Sequence, residues 1–175
     1  AGNEEVAYNI KPVEKLKVDE YVTNGTFNLP IGDTWEGSSN ATFSNNSAIV
    51  TSLSGGSDSV YQNNVFEVGK TYRVSFELEI RVGTVKVGNA GTGQSNKVGV
   101  FQTSGKYSVY HTVADVGGIP HRLVFSRNTT AAYDFTVSNV SVREVEQKAN
   151  DFSFVRASDL TATYEGPDGL IKKTR

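Results

Sequence analysis

The chain has 175 residues, a formal net charge of −2 and neither cysteine nor methionine, a length that suits one ordinary domain with extra segments. The missing cysteine excludes a disulfide framework, a thiolate zinc site and a cysteine nucleophile. Lysine and arginine are scattered without a basic stripe, so no nucleic-acid partner is expected, and no apolar run approaches the ~20 residues of a bilayer span, so no membrane insertion is expected either.

Residues 1 to 20 hold a charged stretch, Lys11 to Lys17, and read as an N-terminal extension: a linker, or a strand lent to a neighbour. They begin without an initiating methionine or the charged and apolar regions of a signal peptide, so the chain is expected to be a piece of something longer. Asn24 to Phe43 is irregular and carries the single tryptophan, Trp35. Ser47 to Leu53 and Ser57 to Phe66 predict two strands around the turn Ser54-Gly55-Gly56. The clearest signal is Gly69 to Arg81, where Tyr72, Val74, Phe76, Leu78 and Ile80 alternate with polar residues, the period of a half-buried strand. Val85 and Val87 alternate with polar or small neighbours, as do Val98 and Val100, and the stretch Gly88 to Asn96 between them is a glycine- and asparagine-rich loop. Tyr107 to Val113 and Ile119 to Phe125 repeat the alternation. Tyr133 to Val142 begins in phase at Tyr133, Phe135 and Val137 and shifts to Val140 and Val142, which predicts a bulge near Ser138-Asn139. Residues 147 to 175 form a separate C-terminal segment in which Thr161 to Glu165 and Leu170 to Lys173 flank the hairpin turn Gly166-Pro167-Asp168-Gly169. Many short strands with Gly/Asn turns predict a sandwich or barrel.

From Asn24 to Val145 the order of features resembles the galactose-binding-like jelly rolls of carbohydrate-binding modules. The residues that carry the likeness are Asn24-Gly25-Thr26-Phe27, Tyr61-Gln62-Asn63, the run Val68 to Phe76, and the closing strand Phe135 to Val142. The resemblance implies an all-β, antiparallel jelly-roll β-sandwich over residues 21 to 146, with the C-terminal hairpin as a short extension. Many relatives carry an Asp before the Asn-Val of the closing strand, where it helps to hold a structural calcium. Ser138 stands there in this chain, and a hard cation prefers carboxylates and carbonyls, so no cofactor is expected and a calcium would lack that ligand. The tail, Phe152 to Ser158 with Ala162-Thr163-Tyr164 and Asp168-Gly169-Leu170-Ile171, resembles the "RAS–ATY–DGLI" segment of tailed-phage virion proteins, which joins modules in tail, fibre or head-decoration subunits.

Trp35 either stacks on a sugar, its face matching the apolar C–H face of a pyranose, or caps the sandwich end. Gln62, Arg73, Glu77, Tyr110 and Arg122 either line a groove offering planar hydrogen-bonding groups to hydroxyls, or belong to a solvated sheet face with cross-strand pairs. His111 and His121 fall on the apolar sides of their strands without the spacing of a metal site. No nucleophile elbow marks any of the serines, and Gly88 to Gly93 lacks the ending of a phosphate loop, so catalysis is not expected. The jelly-roll and tail resemblances together imply a bacteriophage virion structural protein that assembles with other virion subunits or itself and adheres weakly to host-surface polysaccharide. The alternative is an ancillary carbohydrate-binding module of a secreted polysaccharide-degrading enzyme.

Overall fold

Strict alternation leaves each strand one apolar face, and two sheets bury those faces against each other. In the computed structural model the described residues are 15–52, 58–89, 97–114, 121–128 and 131–146, with the backbone alone of 163–165 and 171–173. The strands are β1 (Lys15–Leu16), β2 (Glu36–Gly37), β3 (Ala41–Ser44), β4 (Ser47–Ser52), β5 (Ser59–Gln62), β6 (Thr71–Val82), β7 (Val85–Gly88), β8 (Lys97–Phe101), β9 (Gly105–Thr112), β10 (Leu123–Arg127), β11 (Tyr133–Glu146), β12 (Thr163–Glu165) and β13 (Ile171–Lys173). Sheet one runs β3-β4-β11-β6-β9, with β1 also on β11; sheet two runs β2-β5-β10-β7-β8. Every described pairing is antiparallel, and the described residues include no helix. The chain is thus an all-β, two-sheet sandwich.

The chain separates into two units, residues 15–147 and residues 1–14 with 148–175. The first is the sandwich. In the second, β12 pairs β13 antiparallel with Glu165 opposite Ile171, as the hairpin reading of the tail expects. The segment Phe152 to Ser158, the loops 53–57 and 90–96, and the start of the expected strand at Ile119 lie outside the described residues.

The central strand β6 buries Tyr72, Val74, Phe76 and Leu78, each such side chain stabilising the fold by about 1.5–3 kcal/mol. Where the strands fall short of the alternation, backbone hydrogen bonds explain it. The amides of Val65 and Phe66 both donate to the carbonyl of His121, and Asn64 has a φ of 59°, so β5 ends at Gln62 and the β10 ladder begins only at Leu123. The stretch Asn24 to Phe43 is less irregular than its composition suggests, because β2 and all but the last residue of β3 lie within it. Likewise Lys15–Leu16 pairs with Glu146 and Val145 of the chain's own β11.

The bulge in β11 lies where the phase shift predicts it. The register with β6 slips between Ser138 and Ser141, and Asn139 takes a φ of 51°. Val140, just past the bulge, donates its amide to the carbonyl of Gly25 at 2.9 Å. The backbones meet so closely that a Cβ on Gly25 would fall 1.9 Å from the Val140 carbonyl oxygen. Re-phasing turns Val140, Val142 and Glu144 inward, which leaves Glu144 only 8% exposed. Such a charge needs partners, and the N-terminal segment supplies them: Lys17 Nζ at 2.6 Å from Oε1 and Tyr21 Oη donating to Oε2 at 2.7 Å. Lys70 Nζ stands 3.4 Å from Oε2.

The hydrogen bond from Lys17 holds the Glu144 carboxyl below its ordinary value, with Tyr21 and Lys70 adding to it against burial. A depressed folded-state pKa contributes stability that is complete above the ordinary glutamate value and lost as pH falls through the folded one. Glu144→Gln should therefore cost about 1–3 kcal/mol at pH 7 and shrink the loss of stability on acidification below the ordinary value of 4.5. Urea titrations at pH 7 and in the acid range check both effects. An acid limb as steep in the variant as in the parent would contradict the assignment.

Candidate functional site

The sequence-predicted site residues separate onto three surfaces. Trp35 and Gln62 point inward. Trp35 is fully buried, with the rings of Phe27 and Phe125 at centroid distances of 4.8 and 6.2 Å. Its Nε1 donates to the carbonyls of Thr23 and Asn24, both at 3.1 Å. The ring therefore caps the sandwich, and the expectation that it stacks on a sugar is corrected: no face of it is open. Phe27 reaches the ring from a backbone φ of 52°, a conformation a bulky residue keeps only where its surroundings enforce it.

Gln62 is also corrected from groove to interior. Its Oε1 accepts from the amide of Thr23 at 2.9 Å, and its Nε2 donates to the carbonyls of Thr23 and Thr34 at 2.8 and 3.1 Å. These three bonds use the side chain's planar amide to tie the 23–34 segment to β5.

Arg73, Glu77 and Tyr110 share the outer face of sheet one. Arg143 of β11, Arg73 of β6 and Tyr110 of β9 fall in one cross-strand row. Most of the face is paired within itself. Glu77 meets Lys106 at 2.9 Å, Ser75 donates to Ser108 at 3.2 Å, and the Thr71 and Thr112 hydroxyls are 2.9 Å apart. Arg81 grips Asp134 with Nε at 2.8 Å and Nη2 at 2.5 Å. The cross-strand ladder of the second reading describes this surface.

Arg122 lies elsewhere, on the outer face of sheet two, among residues that are distant in sequence. Register places Glu36, Tyr61, Val124, Gly88 and Lys97 in one row across all five strands. The next row is Ser59, Ser126, Lys86 and Val100. The Arg122 guanidinium carbon sits 4.1 Å from the Tyr61 ring centroid, and its Nε donates to Asn63 Oδ1 at 3.0 Å. Asn63 Nδ2 in turn donates to Glu36 Oε1 at 2.6 Å, and Tyr61 Oη donates to Glu36 Oε2 at 2.7 Å. The hydrogen bond to Glu36, with burial and the carboxylate's charge, raises the Tyr61 phenol against the lowering effect of Arg122, so the hydroxyl stays a donor. Four side chains from β2, β5 and the approach to β10 thus hold one another in a fixed arrangement of aromatic ring, guanidinium, carboxylate and amide.

Parity holds the signal for Tyr61 and Asn63. Val60 is buried at the centre of β5, so period two sends Gln62 inward and its neighbours outward. For Glu36 and Lys86 the sequence offers no comparable mark: Glu36 lies in a two-residue strand, and Lys86 reads as any solvent-side residue.

Both histidines serve packing. His111 is buried, its Nε2 3.1 Å from Asn89 Oδ1, and burial lowers its pKa; His121 Nδ1 lies 2.8 Å from the Phe66 carbonyl. Among the described residues no three His, Cys, Asp or Glu side chains gather as metal ligands. Beside the closing strand, Glu20 is engaged by donors rather than placed for a cation: it accepts from Ser141 Oγ at 2.6 Å and the Val142 amide at 2.6 Å, with Arg143 Nε at 3.5 Å. That donor set does not fit a calcium ion.

The chain matches no protein-family model and no curated protein sequence. Solved structures do match it. A structure described as CBM4 is 17% identical, with a TM-score of 0.52, over 70% of this chain and 99% of its own. A point mutant of CBM29-2, a family 29 carbohydrate-binding module, is 12% identical with a TM-score of 0.51, over 74% of this chain and 93% of its own. The CBM22-1 xylan-binding domain of Paenibacillus barcinonensis Xyn10C is 11% identical with a TM-score of 0.51, over 74% of this chain and 97% of its own. The fold is therefore that of the carbohydrate-binding-module jelly rolls; likeness at these identities concerns architecture alone.

With Trp35 sealed in the core, its fluorescence should be blue-shifted and resist acrylamide, and polysaccharide should leave it unchanged. Trp35→Ala should cost about 3–5 kcal/mol. Gln62→Ala should cost about 1–3 kcal/mol, because it strands polar groups of Thr23 and Thr34. Denaturation of the two variants measures the costs, and a red-shifted, quenchable tryptophan would contradict the placement.

Proposed function

We propose that residues 15–146 are a non-catalytic module that binds polysaccharide on the outer face of sheet two. The observation that carries this reading is the Tyr61 ring, fixed through its hydroxyl by Glu36 and stacked with Arg122. A flat aromatic–guanidinium pair offers apolar area to the C–H faces of sugar rings, while Glu36, Asn63 and the serines of the second row offer acceptors and donors to hydroxyls. Because the groups already hold one another, little side-chain entropy is lost when a ligand arrives. The carbohydrate-binding modules that share the fold, one of them a xylan-binding domain, support the same reading.

For the setting, the likeness of residues 152–171 to the tailed-phage segment supports a virion structural subunit in the tail, fibre or head decoration. Copies assembled on one particle would convert weak single-site adhesion to host-surface glycan into avidity. An ancillary module of a secreted polysaccharide-degrading enzyme fits the same binding face and is favoured by the xylan-binding neighbour.

Native affinity electrophoresis across plant, algal and bacterial polysaccharides tests the binding. Retardation by at least one polymer is expected, lost in Tyr61→Ala and Glu36→Ala and kept in Glu77→Gln on the opposite face. Free migration in every gel would sink the proposal. Light scattering of the full chain tests the setting: assembly through the C-terminal segment gives a mass above one chain, whereas a monomer at all concentrations favours the enzyme setting.

A further inference from the structure

Two cationic groups on the outer face of sheet two leave most of their binding capacity unused among the described residues. Arg122 spends only Nε on the protein, donating it to Asn63, and its two terminal nitrogens make no hydrogen bond to any described residue. Stacking on Tyr61 at 4.1 Å orients the plane. The result is a fixed fork with two parallel donors, the geometry that matches a carboxylate.

Lys86 is the second group. It alternates with the fully buried Val85 and Val87 and so lies on the outer face, half-buried, between Ser126 and Val100 in register. It forms no ion pair with a described residue. The charges that act on it, Lys97 and Arg127, are both positive, and with burial as the larger cause they push its ammonium below the ordinary value. Residues 90–96, which join β7 to β8, are Ala-Gly-Thr-Gly-Gln-Ser-Asn and contain no ionisable side chain, so that connection brings no carboxylate to neutralise it. Glu36 is the one carboxylate in the two rows, and Tyr61 and Asn63 already engage it. On a chain of net charge −2, the described part of this face sets Lys86, Lys97 and Arg122 against Glu36 as its one carboxylate. A half-buried cation without a counter-charge costs the fold free energy unless an anion arrives to meet it.

We propose that the ligand is an acidic polysaccharide, one uronate carboxylate seated in the Arg122 fork and another on Lys86. Ser126, beside Lys86, is four residues along the chain from Arg122, which leads directly into β10, and Lys86 is one strand over, which puts the two Cα atoms roughly 14 Å apart. That span suits a short stretch of chain and not a single sugar. The inference rests on the sheet-two binding face and adds the charge of what it takes.

The test compares polygalacturonate, its methyl ester and dextran sulfate by affinity electrophoresis and calorimetry on the full chain. Polygalacturonate should bind at least about tenfold more tightly than the methyl ester, and added salt should weaken it. Arg122→Lys, which keeps the charge but loses the fork, and Lys86→Gln should each weaken polygalacturonate by about tenfold, with Arg73→Gln on the other face unchanged. Thermal unfolding of each variant confirms that it is folded. Equal binding of the ester, with Tyr61→Ala still abolishing it, overturns the acidic ligand and leaves the binding face standing. Tighter binding of dextran sulfate that survives Arg122→Lys overturns carboxylate recognition. No binding to these polymers or to the neutral panel overturns both.

Discussion

Everything on the outer face of sheet two depends on which way β5 is turned, and the side chain of Gln62 sets that. Its amide completes three hydrogen bonds with Thr23 and Thr34, groups that no strand ladder serves. Turning β5 over would bury Tyr61 and Asn63 and leave the Thr23 amide without its acceptor. Each unsatisfied buried group costs about 1–3 kcal/mol, so a slip of one residue is strongly disfavoured. Trp35 reinforces the lock from the other side, since its indole nitrogen holds the Thr23 and Asn24 carbonyls. The two residues that most invite a functional reading therefore hold the frame on which less conspicuous ones are mounted. Losing either would loosen the 23–34 segment, and with it the entry to β2, where Glu36 resides.

A related economy governs the polar groups that the fold takes inside. The β11 bulge turns Glu144 inward, and the N-terminal segment satisfies it with Lys17 and Tyr21. The carboxylate pushes the Tyr21 phenol up to about 12, so the phenol remains protonated and donating through any physiological pH. Asp58, equally buried, accepts from Tyr133 Oη and from Asn40 Nδ2. Burial opposes its charge most strongly, yet these hydrogen bonds, with Ser38 and the Arg127 charge, still hold the carboxyl below its ordinary range. Both clusters join segments far apart in sequence, 123 residues apart for Tyr21 and Glu144 and 75 for Asp58 and Tyr133. A buried pair of this kind is weak as a source of net stability but strict about which strands may meet.

Alternation makes the frame legible wherever an unbroken run of apolar residues marks one face. It reveals β6 and β9, and the phase slip from Val137 to Val140 marks the bulge in β11. It fails where an element is too short to show a period, as in β2 and β3, and where a polar side chain occupies an inward position. Gln62 is the clearest such case: its residue type suggests a groove, whereas its parity with Val60 places it inside, and parity is the stronger signal. The outer face of sheet two is illegible for another reason. Its members come from β2, β5, β10, β7 and β8, and their adjacency exists only in the cross-strand register. Composition gives no hint that Lys86 lacks a counter-charge among the described residues while Lys106 has one.

The contrast between the two outer faces carries the functional argument further than either face alone. On sheet one, a ligand seeking Glu77, Arg81 or Asp134 must first break bonds that the protein already makes, so its gain is only the difference between two similar interactions. On sheet two, the terminal nitrogens of Arg122 and the ammonium of Lys86 break no bond to a described residue when a ligand arrives, and Tyr61 and Asn63 already orient the Arg122 plane. Exposed ion pairs are worth little because water competes for them. A half-buried cation such as Lys86, with no partner among the described residues, is different: its solvation is already impaired, so a properly placed anion regains more than it would at an open surface. Polarity alone does not distinguish the faces, since both are polar. What distinguishes them among the described residues is that sheet one pairs Glu77, Arg81 and Asp134 internally, with Arg73 left over, whereas on sheet two the one carboxylate, Glu36, is engaged by neutral donors and the charges of Lys86 and Arg122 are left to meet a ligand.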